Sequence, residues 1–269
     1  MKNIVLSILL IILLKGISLG QDFEVAPIKI NFRANPGESE SKTITVKNHG
    51  NSTASLVISL KDYLIYKNGE RKILSAESSK NSIAKWITLN PSYLQINPNE
   101  SQNVQVNFQA PNDDYMSKWG ILSVTTAKEQ TSFSADKNLQ TGISLYGQIN
   151  VYLSYTPASE MNKNTNVKIS NLKEITSQDD SLRKFSVTID NLGNIMSSCK
   201  VYLIASNLST LQEKKFQTTE ITAYPQATRS IELSLPENKL SKGKYALSAI
   251  LDYGSNEALE GTQITIEVK

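Results

Sequence analysis

The chain alternates apolar and polar positions in one short segment after another. This period-two pattern is typical of β-strands that bury one face. The longest such segment covers residues 143–155, whose apolar odd positions are Ile143, Leu145, Ile149, Val151, Leu153 and Tyr155. At about 3.3 Å per residue it would span roughly 43 Å, whereas ordinary strands have about 3–10 residues. We therefore ask what the surplus length pairs with.

The first half of the chain contains a series of such strands, separated by turn residues. The predicted strands cover 25–32, 41–48, 54–66, 84–89, 93–96, 102–109, 118–127 and 143–155. Clusters of Asn, Pro and Gly, as at 35–37 and 97–100, mark the turns between them. Because no helical period intervenes, this half is predicted to be an all-β sandwich or barrel.

The second half repeats the pattern after a polar stretch without periodicity, 158–166, which we interpret as a linker. Its predicted strands cover 167–172, 184–191, 199–205, 215–221, 229–235, 244–253 and 262–268. Seven strands in about 100 residues is typical of an immunoglobulin-like sandwich. The fold class is therefore all-β, with two such sandwiches in series at 21–157 and 167–269. Tyr245 is a candidate for a tyrosine corner, or else a plain core aromatic.

The first twenty residues have the composition of a secretory signal peptide. Lys2 precedes an apolar run over 4–14, and the small residues Ser18 and Gly20 follow it. This arrangement predicts cleavage after Gly20, with an uncleaved anchor as the alternative. After cleavage no membrane span is expected, and the absence of a cysteine near the cleavage point excludes a lipoprotein anchor.

Charge and cysteine content restrict the function further. The chain has 28 Lys and Arg against 25 Asp and Glu; loss of the signal peptide removes two lysines and leaves a formal charge of +1. Such a balance, without a basic cluster, argues against a nucleic-acid partner. Cys199 is the only cysteine, so no intrachain disulfide can form, and its apolar surroundings predict a buried small side chain rather than a reactive thiol.

Groups that could carry catalysis are scarce. The only histidine, His49, lies in a polar turn, whereas zinc usually takes several His or Cys ligands. The sequence has neither a phosphate-binding glycine loop nor a nucleophile-elbow motif. We therefore predict that the protein is not an enzyme and binds no cofactor and no metal.

Three segments of the first half carry a resemblance to a known family. They are 25–48 (VAPIKINFRANPGESESKTITVKN), 86–111 (WITLNPSYLQINPNESQNVQVNFQAP) and 149–157 (INVYLSYTP). Together they resemble the N-terminal domain of the PapD-like periplasmic pilus assembly chaperones. A weaker likeness exists to the WxL-interacting surface proteins of Gram-positive bacteria. The second half resembles a generic immunoglobulin-like domain.

The resemblance implies an answer to the question of the surplus strand. In that family the last strand of the first domain lies along an edge and offers alternating apolar side chains to an incomplete sandwich in the client. In this chain the partner-binding row would be Ile143, Leu145, Ile149 and Val151. Leu153 and Tyr155 would stay in the protein's own core, and Gly147 would mark a bulge. The alternative is that the whole row packs within its own domain.

The resemblance also implies an anchor for the client's terminal carboxylate, made of one basic residue on the first strand and one on the last. The first matches Lys29, with Arg33 as a weaker candidate. No Lys or Arg occupies positions 150–152, where the second would fall, so half of the anchor is absent. Lys29 as an ordinary exposed strand residue is the alternative.

These observations predict a periplasmic, chaperone-like protein that is a monomer when free. Its partner would be an exported fimbrial or surface-assembly subunit, bound by β-strand addition. The alternative is a structural or adhesion module of a cell-envelope complex that binds through its sheet faces.

Overall fold

A computed structural model of the protein describes residues 22–127, 147–177, 182–254 and 257–269. The predicted signal peptide and two of the predicted partner-binding residues, Ile143 and Leu145, lie outside these ranges. Among the described residues, no helix is long and apolar enough to cross a membrane.

The first half of the chain forms a sandwich of two sheets. Its strands are β1 (Phe23–Ala26), β2 (Lys29–Ala34), β3 (Ser39–Asn48), β4 (Ala54–Ile65), β5 (Arg71–Ser75), β6 (Ile87–Asn90), β7 (Tyr93–Ile96), β8 (Ser101–Gln109), β9 (Lys118–Thr126) and β10 (Gln148–Pro157). One sheet has the order β1-β3-β8-β6, and the other has the order β2-β10-β9-β4-β5 with β7 paired to β4. The core between them includes Phe108, whose ring centroid lies 4.9 Å from those of Phe32 and Tyr155.

The second half forms another sandwich with its own core. Its strands are β11 (Val167–Glu174), β12 (Arg183–Asn191), β13 (Ser197–Asn207), β14 (Glu213–Lys215), β15 (Thr219–Ala223), β16 (Ala227–Leu235), β17 (Gly243–Asp252) and β18 (Glu260–Val268). The sheets are β11-β12-β16 and β14-β13-β17-β18, with β15 paired to β13. The prediction of an all-β chain with two immunoglobulin-like sandwiches is confirmed. Tyr245 is a tyrosine corner, since its hydroxyl donates to the Ser241 carbonyl over 2.9 Å.

Several segments differ from the predicted strands: residues 84–86 form a 3₁₀ helix, and the strand predicted over 215–221 is divided between β14 and β15. The segment predicted as one strand over 25–32 is two, β1 and β2, and they belong to different sheets. The break contains Pro27, which has no N–H to continue a ladder, and the Ala26–Pro27 bond is cis. β5 was not predicted, because its five residues are exposed or half-buried and show no alternation.

The second sandwich lies against the first through an aromatic cluster. The hydroxyls of Tyr63 and Tyr224 are 3.1 Å apart, and the ring centroids of Trp119 and Tyr224 are 4.9 Å apart. Beside this cluster, the turn after β4 reaches the second sandwich, where the Ser230 N–H donates to the Lys67 carbonyl over 2.7 Å. The contact therefore combines aromatic packing with hydrogen bonds to the backbone.

Residues 158–166 connect the two cores. They include a short 3₁₀ helix, Glu160–Asn162. Beyond it, the Asn164 N–H donates to the Asn194 side-chain oxygen over 2.8 Å, and the Asn194 N–H donates back to the Asn164 carbonyl over 3.1 Å. The connection is thus fastened to the second sandwich, while the domain limits given above stay a prediction.

Candidate partner-binding site

The strand β10 has a neighbour on one side along only part of its length. β9 pairs with it in antiparallel fashion from Gln148 to Tyr155. On the other side, β2 pairs with it in parallel fashion, and that pairing begins at Tyr152 opposite Lys29. In the part of the chain that the structure describes, residues 149–151 thus pair with β9 and not with β2. We call residues 149–151 the open edge of β10.

The backbone of the open edge points toward the unpaired side at Asn150. The Tyr152 N–H donates to the Ile28 carbonyl, on the β2 side, over 2.9 Å, whereas the Gly147 carbonyl accepts from Thr126, on the β9 side, over 3.1 Å. Backbone groups alternate in direction along a strand. The N–H and C=O of Asn150 therefore face the same way as those of Tyr152, where a further strand would pair.

The side chains of the predicted partner-binding row are not equally available. Val151 is 0% exposed and belongs to the core of its own sandwich, and Ile149 is half-buried against the same core. Leu153 and Tyr155 are buried, as predicted. Val151 therefore packs within its own domain, because the face of β10 that carries its side chain is turned toward the core of the first sandwich. This leaves Ile149 as the accessible described member of the row.

Gly147 immediately precedes β10, and the bulge expected there stays a prediction. The register between β10 and β9 is continuous from Gln148 to Tyr155. A Cβ atom at Gly147 would lie 2.8 Å from Cε1 of Phe23. Glycine is present here because the buried Phe23 ring packs directly on the backbone.

A cleft lies at the end of the open edge, between the two sandwiches. It has a volume of about 570 Å³ and includes the basic residues Lys29, Arg33 and Arg71 in its lining. The second sandwich contributes Thr222 and Tyr224 to the same lining. No Asp or Glu is among the described residues that line the cleft, so its potential favours an anionic ligand.

Lys29 is the first residue of β2 and is exposed, directly opposite Tyr152. The structure thus places this predicted site residue where the open edge ends and the cleft begins. Its role in binding stays a prediction.

Arg71 is a cleft residue that sequence reasoning missed. It comes from β5, and its Cζ atom lies 5.1 Å from the ring centroid of Tyr152 and 5.8 Å from that of Tyr63. Burial lowers the pKa of Arg71, but the nearby hydroxyl of Tyr224, followed by those of Tyr152 and Tyr63, raises it by more. No local signal identifies Arg71, because β5 lacks alternation and is far from β10 in the sequence.

The remaining reactive groups do not form a second site. His49 pairs with Glu24 over 2.9 Å in an exposed turn, and no group of metal-binding side chains occurs within the described ranges. Cys199 is buried, and desolvation raises the pKa of its thiol to about 11. A thiol in this state is a poor nucleophile.

Comparison with known proteins gives matches only among solved structures. No family model and no curated protein matches the chain. The structure matches include a chain of the chaperone–tip adhesin complex of CFA/I fimbriae biogenesis, at 13% identity over 90% of this chain and 97% of that chain, with a TM-score of 0.49. The class 5 fimbriae chaperone CfaA matches at 13% identity over 90% of this chain and 98% of that chain, with a TM-score of 0.48.

A third match is the CsuC–CsuE chaperone–tip adhesion subunit complex of Acinetobacter baumannii, at 13% identity over 78% of this chain and 89% of that chain, with a TM-score of 0.42. The matches thus include proteins of the class that the sequence resembles. Because the identities and scores are low, the function is inferred from this chain's own residues.

Proposed function

We propose that the protein is a periplasmic chaperone that binds an exported fimbrial or surface-assembly subunit by pairing the open edge of β10 with a strand of that subunit. The observation that carries this proposal is that β2 begins at Lys29, opposite Tyr152, and so pairs only with the later part of β10. Among the described residues, no strand pairs with 149–151 on the side where β2 pairs with the next residue, Tyr152. Backbone hydrogen bonds would supply affinity in such a complex.

The cleft favours one orientation of the added strand. A strand added at the open edge would lie on the same side of β10 as β2. It must therefore end where β2 begins, at Lys29. If it runs parallel to β10, its carboxyl end lies in the cleft; if it runs antiparallel, its amino end does. The basic lining attracts a carboxylate and repels an ammonium group. A free C-terminus, bound beside Lys29, therefore fits best.

Side chains would add specificity to this pairing. Ile149 is accessible at the open edge, and Ile143 and Leu145, which lie outside the described residues, extend the proposed row. Such a role needs no catalytic group and no cofactor. The predicted signal peptide supports export to the periplasm, and we propose a monomer as the free form.

Substitution of Asn150 by proline tests the proposal. Proline removes the N–H that faces the open edge, and edge strands tolerate it at such positions. We expect Asn150→Pro to weaken binding of a ten-residue synthetic peptide, which alternates valine with polar residues and ends in a free carboxylate, by at least about tenfold. The measurement is calorimetric titration of the full-length mature protein.

Asn150→Ala is the matched control, because it removes the side chain and keeps the N–H. We expect it to bind the peptide as the unchanged protein does. Thermal melts of both variants verify that each is folded. Equal binding by all three proteins would contradict strand addition and would favour the competing proposal, an envelope module that binds through its sheet faces.

A further inference from the structure

Tyr152, the residue beside Lys29, is also approached by a cation from another strand of the same sheet, β5. Lys29 is the residue paired with Tyr152 across the β2–β10 ladder, and the Arg71 guanidinium lies over the Tyr152 ring at 5.1 Å. Tyr152 is thus flanked by a lysine from β2 and an arginine from β5. Arg33 is further along β2, opposite Thr156.

Neither of these two cations has a carboxylate partner among the described residues. None of the ion pairs within the described ranges involves Lys29 or Arg71. Both side chains are exposed to the cleft, whose described lining has no carboxylate. Arginine presents a planar fork of donors that matches a carboxylate in two parallel hydrogen bonds.

The second sandwich contributes Tyr224 to the surroundings of Arg71. Tyr224 belongs to the second sandwich, contacts Tyr63 through the hydroxyls at 3.1 Å, and lines the cleft beside Arg71. Tyr63 also carries the Arg71 guanidinium at 5.8 Å from its ring centroid. The two tyrosines therefore limit where the guanidinium can lie.

We infer that Arg71 is the second cation that binds the partner's terminal carboxylate, with Lys29 as the first, and that Tyr224 is a positioning residue for Arg71. This inference rests on the proposed function. It replaces the basic residue that β10, the last strand of the first sandwich, lacks at 150–152 with one from β5. It also gives the second sandwich a part in recognition, through Tyr224.

The test compares the carboxylate-ended peptide with the same peptide ending in an amide. Hydrogen bonds to a charged group are strong enough that the unchanged protein should prefer the acid by about ten- to a hundredfold. Arg71→Gln should lower this preference at least about fivefold and leave affinity for the amide unchanged. Arg71→Lys should keep part of the preference, and Tyr224→Phe should lower it less than Arg71→Gln does.

Lys72→Gln is the control, because it removes an exposed cation from β5 that is not part of the cleft lining. Its preference for the acid should equal that of the unchanged protein. If Arg71→Gln keeps the full preference, or weakens acid and amide equally, the inference is wrong while strand addition stands. If the unchanged protein binds neither peptide, the proposed function fails, and the inference fails with it.

Discussion

At the scale of single residues, the same asparagine turn closes a strand in each sandwich. Asn48 ends β3 and donates its side-chain amide to the Ser52 and Ile96 carbonyls, while its Oδ1 accepts from Gly50. Asn191 ends β12 and does the same in the second sandwich, with Gly193 as its backbone donor. Both asparagines are about 1% exposed and so satisfy buried backbone groups that water does not reach.

Removal of either asparagine side chain should destabilise its own sandwich. Asn48→Ala and Asn191→Ala each leave buried backbone groups unpaired, which costs about 1–3 kcal/mol per group. The measurement is urea denaturation. Asn107→Ala, on the exposed outer face of β8, should change the free energy of unfolding by less than about 0.5 kcal/mol. A similarly small change at Asn48 or Asn191 would contradict this role.

Cys199 should make stability depend on alkaline pH. Burial raises the pKa of its thiol from 9.0 to about 11, so the unfolded chain loses this proton first as the pH rises. The thiol's contribution is therefore complete below about pH 9 and is lost progressively as the pH rises to about 11. Between pH 8 and pH 10.5, the denaturation midpoint should decrease less in Cys199→Ala than in the unchanged protein. An equal fall would contradict the buried thiol.

At the scale of elements, alternation in the sequence identifies strands and their buried faces but not their neighbours. The predicted burial of Leu153 and Tyr155 is confirmed because period two assigns them to one face of β10. The same alternation could not separate Val151 from the other residues of the predicted partner-binding row. In the structure, Val151 is buried in the core of its own sandwich. The pairing of β10 with β2 joins residues more than one hundred positions apart in the sequence. No local pattern of apolar and polar residues encodes this pairing.

Only part of the candidate site could be predicted from the sequence. Lys29 was found because the family resemblance implies a basic residue on the first strand, and Lys29 occupies that position. Arg71 was not, since β5 is a short exposed strand that is ordered by pairing with β4 rather than by burying a face of its own. A residue whose position depends on tertiary pairing leaves no periodic signal.

At the scale of the whole molecule, the cleft exists because two sandwiches meet, so the interface should determine its shape. Tyr224 is the central contact, with its hydroxyl 3.1 Å from that of Tyr63 and its ring 4.9 Å from that of Trp119. Aromatic pairs contribute roughly 0.5–1.5 kcal/mol each beyond area burial. Loss of two such pairs should make separation of the sandwiches roughly five- to a hundredfold more favourable.

Tyr224→Ala should therefore loosen the two sandwiches without unfolding either one. We expect a larger radius of gyration in small-angle scattering and faster proteolysis within 158–166, because separation of the sandwiches exposes the connection. Tyr202→Ala is the matched control: Tyr202 is also half-buried in the second sandwich, but its ring packs against Lys215 at 3.6 Å, within the same sheet. If both variants are cut at the same rate and scatter alike, the aromatic cluster does not hold the sandwiches together. Cleavage that releases fragments unable to fold would also contradict the proposed limits of the two domains.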